Sequence, residues 1–147
     1  MNLLGIIADR DLDKIMTEKI DQFQGQIIGE NEGFLLFAEI YAFNEFEYLK
    51  LRLLGPLKVQ TFDGCQITFF SDQGELGMES DTMEIDTDYS KKLKVGITEF
   101  DFDLEDELID VIENQKISSV QISIRKSKLD IPITNQNLLK SLMKIEG

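Results

Sequence analysis

The stretch GFLLFAEIYAFNEFEYLKLRLL, residues 33–54, sets two apolar, β-prone runs on either side of Asn44-Glu45. The first run opens with four consecutive apolar residues, Phe34 to Phe37, the pattern of a central strand covered on both faces. The second run changes phase. Phe46 and Tyr48 share one face, whereas Leu49, Leu51 and Leu53 share the other. Side chains alternate with a period of two, so a slip of one residue exchanges the faces. The phase change therefore predicts either a bulge or burial on both sides. Leu93, Val95 and Ile97 give way to Phe100 and Phe102 in the same manner. The expectation is a strongly bent sheet, with bends near Tyr48–Leu49 and Thr98–Glu99.

Strand and turn signals extend outward from this stretch. KVQTFDGCQITFF, 58–70, holds Asp63-Gly64 between two β-rich runs, the strongest hairpin signal in the chain. SDQG, 71–74, is a second turn. Residues 82–89 and 93–102 are expected to pair across Ser90-Lys91-Lys92. SVQISIRK, 119–126, alternates Val120, Ile122 and Ile124 with polar residues, as in a strand with one wet face. LDIPI, 129–133, reads as a last edge strand because Pro132 lacks a donor.

Three helices are predicted. Residues 11–23 place Leu12, Ile15, Met16, Ile20 and Phe23 on one face. Residues 104–114 follow Asp103 as cap, and 135–145 follow Thr134 or Asn135. The fold class is α+β, a sheet-dominated, strongly bent antiparallel meander forming a partial barrel or sandwich. Residues 1–147 are expected to form a single globular domain, since no Pro-rich or Gly/Ser-rich linker interrupts them.

Composition removes whole classes of chemistry. The chain contains no His and one Cys, which excludes Ser-His-Asp and Cys-His catalysis and zinc sites built from Cys and His. Cys65 has no partner for an internal disulfide, so a reducing, cytoplasmic setting is expected. Cationic neighbours that would activate its thiol are missing from the nearby sequence. No stretch has the length and apolarity of a membrane span, and Leu3 to Ala8 is too short for a signal sequence. Neither a GxGxxG nor a GxxxxGK[ST] phosphate loop occurs.

Acidic residues dominate what is left. The 28 Asp and Glu against 15 Lys and Arg give a net charge of −13. Residues 74–115 alone carry about −11, whereas 116–147 carry about +4, counting side chains at neutral pH. DFDLEDELID, 101–110, resembles a calcium loop only at its start. Asp106 stands where the sharp turn needs Gly, and Ile112 where the bidentate Glu belongs. The economical reading is a helix start, with Glu105, Asp106 and Glu107 beside the positive end of the dipole. In ESDTMEIDTDY, 79–89, period two turns Met83, Ile85, Thr87 and Tyr89 inward and Glu84, Asp86 and Asp88 outward.

No catalytic residue, cofactor site or metal site is assigned. The leading functional expectation is a non-catalytic, acidic, cytoplasmic interaction protein that binds another protein, with an inhibitor- or immunity-like domain directed at a basic target as the sharper form. Electrostatic steering favours such a pairing. Its partner-binding residues are Glu84, Asp86, Asp88, Asp101 and Asp103. Nucleic acid and anionic membranes are disfavoured as partners by the charge. A small-molecule or lipid binder is the alternative, resting on a Phe-rich bent sheet that encloses a cavity. A carboxylate-based hydrolase stands third, with no pair of acids singled out.

Overall fold

The structure is a computed structural model that describes Glu18, Asp21 and residues 26–145. In chain order the strands are β1 (Ile27–Asn31), β2 (Phe34–Phe43), β3 (Phe46–Gly55), β4 (Gln60–Thr61), β5 (Gln66–Ser71), β6 (Gly74–Glu79), β7 (Ile85–Asp86), β8 (Asp88–Ser90), β9 (Val95–Asp103), β10 (Ile117–Ile124) and β11 (Ser127–Pro132). Helix α1 (Asp106–Asn114) lies between β9 and β10, and α2 (Gln136–Ile145) follows β11. The described residues thus hold two helices rather than three. The helix expected over 11–23 falls outside them, apart from Glu18 and Asp21, which are helical and exposed.

The described strands form three antiparallel sheets and no closed barrel. The first has the order β1-β2-β3-β9-β8, the second β11-β10-β5-β6, and β4 pairs with β7 in a short ribbon. A simple meander is therefore overturned: β10 inserts between β5 and β11, and the chain crosses between the two large sheets after β3, after β6 and again after β9. The two large sheets sandwich one core. Leu36, Leu49, Leu51, Leu53, Phe100 and Phe102 from the first meet Ile67, Phe69, Val120, Ile122, Ile124 and Ile131 from the second. Each such side chain, fully buried, contributes about 1.5–3 kcal/mol relative to exposure.

The helices add Leu108, Val111, Ile112, Leu139 and Met143 to this core. One edge is seamed where Gly29 bridges Ile133 and Thr134 N–H donates to the Ile28 carbonyl at 2.9 Å. Gly29 permits that approach, since a Cβ there would sit 2.5 Å from the Pro132 carbonyl oxygen.

The phase changes have a different cause from the expected bends. Pairing runs without a shift through Tyr41 opposite Tyr48 and Ile40 opposite Leu49, and through Leu53 opposite Thr98 and Arg52 opposite Glu99. Register shifts occur instead at Ile27/Gly29 and Ile117/Ser119. The apolar side switches in β9 because that end of the first sheet is covered on both faces, and in β3 because Phe46 and Tyr48 lie on the outer face, Phe46 exposed and Tyr48 half-buried. Leu49, Leu51 and Leu53 enter the main core, while Leu54 joins Phe37, Val95 and Ile97 in a second cluster on the outer face.

Other expectations are corrected by the pairing. Asp63-Gly64 joins no hairpin: β4 pairs with β7, β5 pairs with β6 and β10, and Gly64 at φ 70° turns the chain between sheets. The run 82–89 is split at Thr87, so that only β8 pairs with β9. Thr87 Oγ1 accepts from Val59 N–H at 3.0 Å and lies 2.8 Å from Thr98 Oγ1. Helix α1 begins at Asp106 with Glu105 at its N-cap, not at 104 behind an Asp103 cap. The β ladder outlasts the expected boundary: Asp103 ends β9 opposite Tyr48, and Leu104 N–H still donates to Glu47 at 3.0 Å. Helix α2 starts one residue later than expected, with Asn135 Oδ1 accepting from Leu138 N–H at 3.0 Å as a cap does.

Candidate functional site

The β2–β3 hairpin supplies the most distinctive surface. Its turn residues Asn44 (φ 51°) and Glu45 (φ 69°) are both left-handed, as a two-residue type I′ turn requires. Asn tolerates that conformation, but Glu is a costly choice where Gly is usual. The turn fixes the register that sets Phe43 opposite Phe46. Both rings stand in solvent, 63% and 66% exposed. Large apolar side chains displayed as a pair at a hairpin tip gain nothing for the core.

One step inward on the same face, Tyr41 stacks on Tyr48 with centroids 5.3 Å apart and an interplanar angle of 24°. Lys50 Nζ lies 5.1 Å from the Tyr41 ring centroid and 4.0 Å from Asp101 Oδ1. Asp101 Oδ2 accepts from Thr82 Oγ1 at 3.1 Å, and its own N–H donates to Thr82 Oγ1 at 2.9 Å. Asp81 is tied alongside, its N–H donating to the Asp101 carbonyl at 2.7 Å. Burial and then the Asp101 charge push the Tyr41 phenol up to about 12. Desolvation, followed by Asp81, Asp103 and Asp101, also raises Tyr48. The aromatic band is therefore bordered by three carboxylates.

Deeper along this face Arg52 is almost fully buried. Its Nε donates to Glu99 at 2.7 Å, Nη2 to Glu39 at 2.8 Å and Nη1 to Gln26 at 3.3 Å. Burial alone would lower the guanidinium pKa, but the hydrogen bonds and charges of Glu39 and Glu99 raise it overall. Burial likewise works to raise Glu39, and the Arg52 hydrogen bond and charge overcome it and leave the carboxyl lowered. This cluster holds the three central strands together beneath the aromatic band.

The predicted partner residues are divided among three places. Asp101 and Asp103 join the Tyr41–Tyr48 border. Asp88 lies opposite Ile97 at the far, apolar end of the first sheet. Asp86 pairs with Gln60 in the short ribbon, and Glu84 precedes it, exposed. Ile85 and Thr87 point inward as expected, but Met83 is 55% exposed. Sequence reasoning missed Tyr41, Phe43, Phe46, Tyr48 and Asp81. The signal available was the alternation of four aromatics across Asn44-Glu45, which marks one shared face once the turn is two residues long.

A groove of about 390 Å³ is lined by Asp63, Cys65, Glu79, Met83 and Arg125. Cys65 is buried there, and burial raises its thiol to about 11 against a smaller opposing effect of the Ser80 hydrogen bond. An open groove of about 600 Å³ follows the β1–β2 turn, past Glu30, Asn31 and Phe34. Of the phenylalanines, Phe37, Phe69, Phe100 and Phe102 are packed in the two apolar clusters, while Phe34 and Phe70 are partly buried. Among the described residues no three Cys, Asp or Glu side chains converge as metal ligands. No helix there is long and apolar enough to cross a membrane. No protein-family model, curated protein or solved structure matches the chain.

Proposed function

We propose that this chain is a non-catalytic interaction domain that docks a basic protein partner through the outer face of the β2–β3 hairpin. The observation that carries the reading is the exposed Phe43–Phe46 pair, continuous with the Tyr41–Tyr48 stack and bordered by Asp81, Asp101 and Asp103. Aromatic side chains are favoured anchors at interfaces, and surrounding charge selects the partner and speeds encounter. The partner would offer an apolar pocket for the tip and Lys or Arg at its rim. An inhibitor- or immunity-like role and a cytoplasmic setting are part of this reading, supported by the net charge of −13 and the unpaired Cys65.

The test is gentle isolation from the native cell followed by native mass spectrometry, repeated with Phe43→Ala/Phe46→Ala and with Asp81→Lys/Asp103→Lys. A stoichiometric basic protein that is lost in both variants is the expected outcome. A bare chain, or a partner retained equally by both variants, overturns the proposal.

A further inference from the structure

The second sheet ends at β6, GELGME, whose outer side carries no paired strand among the described residues. The register of β5 with β6, together with donation from Ser80 N–H to the Cys65 carbonyl, decides which backbone groups face outward. Hydrogen-bonded and non-hydrogen-bonded pairs alternate along an antiparallel ladder. Ser80, Met78, Leu76 and Gly74 therefore bond inward to β5. Glu75, Gly77 and Glu79 turn their N–H and C=O groups to the open edge, and all three are exposed.

Free edges are templates for strand addition, and they are usually blunted by Pro, Lys, a bulge or a covering element. In β6 there is no Pro or Lys, and its pairing with β5 runs through all six residues without a shift. Among the described residues its guard is charge. Two copies paired antiparallel about Gly77 would set Glu75 of one directly opposite Glu79 of the other, and like charges so placed are destabilising. The edge thus rejects its own copy and complements a basic strand.

Gly77 adds a specific feature. It does not have positive φ, and a Cβ there would meet only Thr68 Oγ1, at 3.8 Å. Neither backbone conformation nor packing against the described residues requires glycine. Its bare backbone forms part of a shallow depression of about 200 Å³, together with Gln66, Thr68, Met78 and Glu79. A side chain on an added strand, opposite Gly77, would lie in that depression.

We propose that β6 is a strand-addition site for an extended basic segment. Lys or Arg would lie opposite Glu75 and Glu79, and a large aromatic or β-branched residue would lie opposite Gly77. The three recognised residues are then spaced i, i+2 and i+4 on one face of the incoming strand. This site is on the other sheet from the aromatic hairpin and stands independently of it.

The probe is the synthetic peptide SKVYVKS, whose palindromic pattern fits either strand direction, with SEVYVES as its charge-reversed counterpart. Binding is followed by backbone amide NMR and hydrogen exchange on the whole protein. SKVYVKS is expected to bind saturably at millimolar concentration or below and to slow exchange at the Glu75, Gly77 and Glu79 amides. Glu75→Lys/Glu79→Lys should weaken it by about tenfold or more. Gly77→Pro should abolish it by removing the central outward donor, while Gly77→Val should weaken it by filling the depression. Should Gly77→Pro fail to fold, the exposed Glu75/Glu79 variant still decides. Phe43→Ala/Phe46→Ala should leave binding unchanged, which separates this site from the hairpin surface. The proposal is overturned if SKVYVKS does not bind, if SEVYVES binds as well, or if the perturbed amides cluster around Tyr41 and Tyr48.

Discussion

Arg52 and Glu99 face each other across β3 and β9, with the guanidinium Nε 2.7 Å from the carboxylate. Glu39 completes the arrangement from β2, so one buried cation binds three strands. Arg52→Ala should destabilise the fold by about 1–3 kcal/mol, because two carboxylates then lose a charged donor. Replacing all three with apolar residues of similar size should cost less than Arg52→Ala alone. Chemical denaturation of the two variants checks the ordering.

The same cluster sets an acid dependence. Glu39 has a folded pKa below its unfolded value, so its contribution is present above the unfolded value and is lost as pH falls through the folded one. Tyr41 acts with the opposite sign. Its raised pKa favours the protonated phenol in the folded state, so stability falls as pH rises from about 10 to about 12. Tyr41→Phe should remove that alkaline loss, as measured by thermal unfolding across this range.

Glu45 should be a site where the residue present is not the most stable one. Glu45→Gly relieves the left-handed conformation and should raise stability by about 0.5–1 kcal/mol. Thermal unfolding measures that gain. Phe43→Ala and Phe46→Ala, by contrast, should change stability by less than about 0.5 kcal/mol, because both rings are exposed.

Cys65 should behave as an inert thiol. With its pKa raised to about 11 by burial, alkylation of the folded protein at neutral pH should be far slower than that of the denatured chain. Equal rates in the two states would contradict the described packing.

Parts of this architecture were legible in the residues. The alternation of Val120, Ile122 and Ile124 named both the strand and its buried face, and all three are in the core. The hairpin about Asn44-Glu45 was visible as a break between two β runs. Asp63-Gly64 misled because the local chemistry of a turn does not specify which sheet receives the next strand. That choice rests on nonlocal contacts, such as Gly64 N–H donating to the Met83 carbonyl at 2.8 Å. The phase changes in β3 and β9 mark departures from a one-sided strand without a bend: a second apolar cluster accounts for the one in β9, and the outer-face aromatics Phe46 and Tyr48 for the one in β3. The acidic residues were visible and their grouping was not, since Asp81 reaches Asp101 only through the fold.

Gly29–Ala-type substitution probes the seam directly: Gly29→Ala would force Cβ against the Pro132 carbonyl and should cost about 1–3 kcal/mol by overpacking. Denaturant titration measures it.

That seam also imposes an order in time. Residue 29 meets residue 133, so β1 is among the earliest described strands to be synthesised and its neighbour across the bridge among the last. Among the described residues, the cover over the apolar inner face of the first sheet, begun by Ile67 and Phe69 of β5, stays incomplete until β10, β11 and α2 have left the ribosome. Closing so long a loop carries an entropic cost before any contact rewards it, which slows folding. During synthesis the nascent chain therefore exposes Leu36, Leu51 and Phe100 to whatever surrounds it, and a chaperone that shields such surfaces would bear on its yield.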